Sequence, residues 1–97
     1  MTVEYPLSRA DYTELEESYV LDWMRNRQGP GWRYYIERCE EWFCATYHRR
    51  FAMMTNSCRS ALQLAFEAMA WKTGNRIVVM PDLTYDATAD AAASAGL

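Results

Sequence analysis

The stretch that decides the fold is residues 51–63, which read FAMMTNSCRSALQ. Its first five residues are almost continuously apolar, a pattern typical of a strand buried on both faces. Small polar residues follow, and from Ser57 to about Trp71 the apolar residues recur at helical spacing. The sequence therefore predicts a buried strand over 51–55, a short polar turn and a helix over 57–71.

The same order of elements is repeated once along the chain. Gly74 lies in a helix-ending turn, 77–80 is a second apolar run closed by Pro81, and an alanine-rich helix is predicted over 85–95. Alternating strands and helices are the α/β pattern, with a parallel sheet. Two strands are too few for such a sheet, because its faces and edges need covering. We therefore expect the chain to be the beginning of a longer protein.

Two amphipathic helices are predicted before residue 50. The first starts near Asp11, where capping boxes beginning at Asp11 or at Thr13 are both plausible, and it stops at the Gly-Pro-Gly of 29–31. The second covers roughly 32–47, with apolar residues along one face. Residues 1–10 are expected to be an extended lead-in, since Pro6 disfavours helix there.

These elements predict one incomplete domain over 1–97. Residues 1–49 supply the lead-in and the two helices, and residues 50–97 supply the start of the α/β part. Ninety-seven residues bury only a modest core.

Composition excludes several classes of function. The formal net charge is −3 and the arginines are scattered, so no basic stripe indicates nucleic acid as a partner. Three cysteines without Cys-x-x-Cys spacing and one histidine argue against a disulfide framework or a metal site. No signal peptide or membrane-length apolar run is evident, so neither a membrane partner nor export is expected and the cytoplasm is the predicted location.

Three segments point to a family. They are Gly29-Pro30-Gly31 followed by Glu40, then Asn-Ser-Cys-Arg-Ser-Ala-Leu at 56–62, and then Gly-Asn-Arg-Ile-Val-Val-Met-Pro at 74–81 followed by Thr84-Tyr85-x-Ala87-Thr88. In sequence, order and separation they resemble the N-terminal part of the DegT/StrS-type sugar aminotransferases. The resemblance spans nearly the whole chain but about the first quarter of a typical family member.

The resemblance implies a fold and a cofactor. The expected fold class is α/β: the N-terminal part of a three-layer fold-type-I aminotransferase large domain, preceded by two amphipathic helices. The expected cofactor is pyridoxal 5′-phosphate, which the complete enzyme would bind. A helix N-terminus presents unpaired N–H groups and partial positive charge, so the turn at 57–60 suits a phosphate. The implied cofactor-binding residues are Ser57, Cys58, Arg59, Ser60 and, stacking on the pyridine ring, Tyr85.

The resemblance also implies substrates and partners. The complete enzyme would transfer an amino group from glutamate or glutamine to a keto sugar, commonly linked to a nucleotide, in amino-sugar and polysaccharide biosynthesis. It would work as a homodimer with composite active sites.

Two departures from the family pattern leave alternatives open. The family usually has Gly then Thr where this chain has Cys58 then Arg59. Arg59 could add a charge-assisted contact to the phosphate or fill the space that the phosphate needs. Asn56 or Ser57 could be a simple helix cap, and Tyr85 could be a core or interface tyrosine.

No catalytic residue is assigned within this chain. Its single lysine, Lys72, is expected on the surface at the far end of the helix that starts at Ser57, about 20 Å from the turn. The chain is therefore expected to be an inactive fragment of an aminotransferase, or of the family's dehydratase branch. The alternative is a non-catalytic α/β module that binds a phosphate ligand or dimerises.

Overall fold

The computed structural model describes residues 10–97, so the extended lead-in predicted over 1–10 falls, apart from Ala10, outside the described residues. The chain divides into two units, one ending at Arg50 and the other comprising Phe51–Leu97. Between residues 10 and 97, no helix is both long and apolar enough to cross a membrane.

The first unit contains two helices joined by a short 3-10 turn. Helix α1 is Glu14–Asn26, the 3-10 turn is Gly29–Gly31, and helix α2 is Tyr34–Tyr47. Thr13 is the N-cap of α1 and forms a reciprocal capping box with Glu16, which decides between the two predicted starts. Both predicted helices are confirmed, with α2 starting two residues later than the pattern indicated.

Side-chain contacts hold α1 against the start of α2. Trp23 of α1 donates a 3.0 Å hydrogen bond from Nε1 to the carbonyl oxygen of Trp32, just before α2. The guanidinium of Arg27, which caps α1, lies 3.9 Å from the centre of the Tyr34 ring. A cation over an aromatic face is attracted by the ring's quadrupole, so this contact also draws the two helices together.

The second unit contains helix α3, Cys58–Thr73, and helix α4, Asp86–Ser94. Both agree with the predicted helices to within two residues. Gly74 ends α3 in the left-handed conformation, with a φ of 70°, and its N–H bonds the carbonyl oxygen of Ala70. Helix α4, which packs against α3, carries the two buried side chains of the described residues, Ala91 and Ala92.

The predicted α/β class is wrong for the structure as described. Residues 10–97 contain no strand and no sheet, and the three-layer arrangement is absent from them. The runs 51–55 and 77–80 lie outside any helix and form no ladder. The physical reason is that a strand is defined by pairing, and these two runs have no partner strand between residues 10 and 97.

Residues 77–80 still show the alternating exposure and burial of side chains that is typical of a strand. Ile77 and Val79 are exposed, whereas Val78 and Met80 are half-buried. A period of two is what an extended chain shows when one face is covered and the other is open. The covered face borders an open groove of about 390 Å³ whose other walls include Ala89, Ala92 and Leu97.

Candidate functional site

The turn before α3 is built by short side-chain bonds. Ser57 is the N-cap, in an extended backbone conformation, and its Oγ accepts a 3.1 Å hydrogen bond from the backbone N–H of Ser60. The Ser57 Oγ–H also donates to Ser60 Oγ at 3.0 Å. Upstream, the Thr55 hydroxyl donates to the carbonyl oxygen of Ser57 at 2.9 Å. These bonds order the entry to α3 without any contribution from a sheet.

The backbone N–H groups that the helix cap leaves unbonded at this turn suit an anion. The cap and the first helical bonds engage the N–H groups of Ser60 and Ala61, so those of Cys58 and Arg59 remain as the first-turn donors that the cap does not use. Two serine hydroxyls and the positive end of the α3 dipole lie beside them. This donor set fits a phosphate group held mainly by the backbone.

The side chain of Arg59 is directed to α4 by a hydrogen bond. Its Nη2 donates at 3.1 Å to Oγ of Ser94, the last residue of α4. Arg59 is exposed, so the guanidinium does not fill an enclosed space at the turn. A cation near the carboxyl end of a helix is also favoured by the helix dipole.

The other two predicted residues are exposed. Cys58 opens α3 and is a free, exposed thiol. Tyr85 is the N-cap of α4 by backbone position and is 79% exposed, so its ring is accessible for stacking. Its carbonyl oxygen accepts a 3.0 Å hydrogen bond from the N–H of Thr88.

The structure brings some of the predicted residues together. Ser57, Cys58, Arg59 and Ser60 share one turn of backbone, as the sequence requires. Arg59 of that turn bonds to Ser94, at the carboxyl end of α4. Tyr85 lies at the opposite end of α4, about 13 Å away along the helix at 1.5 Å per residue. The juxtaposition of the Tyr85 ring with the turn therefore stays a prediction.

The comparison with family profiles identifies the chain's relatives. The profile of the DegT/DnrJ/EryC1/StrS aminotransferase family matches residues 10–97, which includes the turn before α3 and the whole of α4. The chain belongs to this aminotransferase family. The resemblance inferred from the three sequence segments is thereby confirmed. Searches of curated proteins and of solved structures found no match.

A second cluster of polar side chains lies in the first unit. Three donors converge on the carboxylate of Asp22: the Tyr35 hydroxyl at 2.6 Å, Asn26 Nδ2 at 2.9 Å and Arg27 Nε at 3.1 Å. These bonds, that from Tyr35 first, lower the pKa of Asp22 to about 2. In the described residues no group of three or more His, Cys, Asp or Glu side chains is placed to hold a metal.

Sequence reasoning missed Ser94 and the Asp22 cluster. Ser94 is a single hydroxyl at the end of an alanine-rich helix, and its bond to Arg59 spans 35 residues. The spacing of Asp22 and Asn26 is a usable signal, because residues four apart on a helix face each other. Nothing in the periodicity pointed to Tyr35, whose bond to Asp22 depends on how the two helices meet.

Proposed function

We propose that this chain is the cofactor-binding N-terminal portion of an aminotransferase that uses pyridoxal 5′-phosphate and acts on keto sugars, commonly nucleotide-linked. The observation that carries the proposal is the family match across residues 10–97, with the phosphate-type turn at 57–60 inside it. Amino-sugar biosynthesis, with glutamate or glutamine as the amino donor, follows as the proposed role. A homodimer is the proposed assembly.

In this proposal the chain's residues bind and orient the cofactor. The N–H groups of Cys58 and Arg59, with the Ser60 hydroxyl, hold the phosphate at the start of α3, and Ser57, whose hydroxyl bonds to Ser60, orders the turn that presents them. The exposed ring of Tyr85 offers a face for offset stacking on the pyridine ring. When bound, pyridoxal phosphate supplies an electron-withdrawing ring on which an amino group is exchanged.

Lys72 has no part in this chemistry. It lies in the last turn of α3, the opposite end from the proposed phosphate site, and it is exposed. Aminotransferase chemistry requires a lysine that reaches the cofactor. We therefore assign binding to residues 57–60 and 85 and no catalytic step to residues 10–97.

Titration of the purified chain with pyridoxal phosphate tests the proposal. Saturable binding is expected, and pyridoxal, which lacks the phosphate, should bind at least about tenfold more weakly because it loses charge-assisted bonds. Tyr85→Ala should weaken binding of both compounds, whereas Tyr47→Ala, which removes a similarly exposed tyrosine from the first unit, is the matched control. Equal binding of pyridoxal and its phosphate would remove the phosphate site from the proposal.

A non-catalytic dimerising module is the second candidate. The observation that favours it is the exposure of large apolar side chains in the second unit, among them Trp71 at 90% and Val79 at 93%. Exposed apolar surface of this kind commonly marks an interface. Self-association in cofactor-free buffer, combined with no response to pyridoxal phosphate, would favour this candidate over the first.

A further inference from the structure

Arg59 has a partner that the family pattern does not suggest. The residue is the second of α3, so its Cα lies at the turn that carries the free N–H groups of the proposed phosphate site. Its guanidinium instead reaches Ser94 Oγ, at the carboxyl end of α4. The arginine thus connects the amino end of one helix with the carboxyl end of the next.

The bond to Ser94 is of a kind that a phosphate can displace. Its acceptor is a neutral hydroxyl, and both side chains are exposed to water. A phosphate dianion at the start of α3 would offer the same guanidinium a charged acceptor in a geometry that suits its planar fork. The arginine side chain is long and flexible enough to change partner while its Cα stays in place.

We propose that Ser94 and the cofactor phosphate compete for Arg59, so that Arg59 leaves Ser94 and becomes a phosphate ligand when the cofactor binds. This inference rests on the proposed function, because it concerns the same phosphate site. It assigns Arg59 a positive role in a position where the family usually has threonine. It also assigns Ser94 a role, since the bond to Ser94 lowers the affinity for phosphate by holding the arginine elsewhere.

Calorimetric titration with pyridoxine 5′-phosphate tests the competition. This probe keeps the ring and the phosphate but has no aldehyde, so it cannot react with Lys72 or the amino terminus. Ser94→Ala should bind the probe about threefold more tightly than the unchanged chain, because Arg59 is released from a neutral bond. Arg59→Gln should bind about tenfold more weakly, and the double variant should match Arg59→Gln.

Arg76→Gln is the matched control. Arg76 also donates to the end of α4, from Nη1 to the carbonyl oxygen of Gly96 at 3.4 Å, and the substitution removes the same charge. Its affinity should equal that of the unchanged chain, which separates a direct contact from a change in net charge. In ¹⁵N spectra the Nε–H signal of Arg59, not that of Arg76, should move when the probe is added. Circular dichroism of each variant checks that its helices are retained.

The outcomes separate this inference from the proposed function. The competition would be refuted, and the phosphate site retained, by one pattern of affinities for the probe. In that pattern the unchanged chain and Ser94→Ala bind the probe equally well, and Arg59→Gln has the same affinity as Arg76→Gln. If the unchanged chain binds neither the probe nor pyridoxal phosphate while its helices are intact, both proposals fall. Tighter binding by Arg59→Gln would show that Arg59 obstructs the site, which is the opposite of what we propose.

Discussion

The hydroxyl of Tyr35 in α2 donates a 2.6 Å hydrogen bond to Oδ2 of Asp22 in α1, and this bond joins the two helices of the first unit. Each residue shifts the ionisation of the other. The bond from Tyr35 is the largest cause of the lowered pKa of Asp22, and the bond to Asp22 raises the pKa of Tyr35 to about 12. The pair is therefore most stable with Asp22 ionised and Tyr35 protonated.

The stability of the first unit should fall at both extremes of pH. The pKa of Asp22 is lowered from 3.8 to about 2, so its contribution is complete above pH 3.8 and is lost as the pH falls through about 2. The pKa of Tyr35 is raised from 10.0 to about 12, so its contribution is complete below pH 10 and is lost as the pH rises through about 12. Thermal unfolding followed by circular dichroism across this range measures both losses.

Two variants test whether both losses come from this pair, and because each group shifts the pKa of the other, each variant should weaken both losses. Asp22→Asn should lower the thermal midpoint at neutral pH and flatten the dependence between pH 4 and 2, since no carboxylate is left to protonate. Tyr35→Phe should remove the alkaline loss. Glu41→Gln, at an exposed carboxylate of α2, is the control and should leave both branches in place. An unchanged acid profile in Asp22→Asn would contradict the assignment.

Thr13 should contribute measurably to the stability of α1. Its hydroxyl accepts a 3.3 Å hydrogen bond from the N–H of Leu15, and the Glu16 carboxylate bonds back to the backbone and hydroxyl of Thr13. The same bonds lower the pKa of Glu16. Thr13→Ala should therefore destabilise the helix by about 1 kcal/mol in urea or thermal unfolding, whereas Thr13→Ser should be nearly neutral. Equal stability of the alanine and serine variants would show that the cap does not matter.

The helices could be predicted from the sequence because their signals are local. Apolar spacing, the capping box at Thr13 and the left-handed Gly74 each depend on a few neighbouring residues, and the helix bounds followed to within about three residues. The strand predictions were wrong because strand formation depends on pairing, which is not a local signal. Apolar runs at 51–55 and 77–80 indicate an extended conformation, but a strand also needs a partner that the local sequence does not supply.

The candidate site shows the same difference between contacts among chain neighbours and contacts between helices. The grouping of Ser57 and Ser60 follows from chain neighbours and a capping preference, so sequence alone located it. The Arg59–Ser94 bond and the Asp22–Tyr35 bond depend on how helices meet, and no periodicity encodes which exposed polar residues will face each other. The family resemblance located the predicted phosphate turn but gave no information about a partner for an arginine that the family usually lacks.

Gly74 should be difficult to replace because of its backbone conformation alone. Its φ is 70°, a value that residues with a side chain rarely adopt, while a Cβ added there would meet no atom within 4 Å. Gly74→Ala should therefore cost about 1 kcal/mol, and Gly74→Asn should cost less because asparagine tolerates this region. Gly31→Ala, which has no such φ and would contact only Arg27 at 4.0 Å, is the control. A Gly74→Ala variant as stable as Gly31→Ala would refute the backbone argument.

The exposed side chains of 77–80 should make the chain associate as its concentration rises. Ile77 is 79% and Val79 is 93% exposed, and Val79 lies on the open side of a segment whose other side borders the groove. Sedimentation velocity at increasing concentration should show species larger than a monomer. Val79→Lys should reduce association, because a charge on an open extended segment opposes pairing with another chain. Thr46→Lys adds the same charge on α2 and should leave association unchanged, and a single monomeric species at every concentration would contradict the prediction.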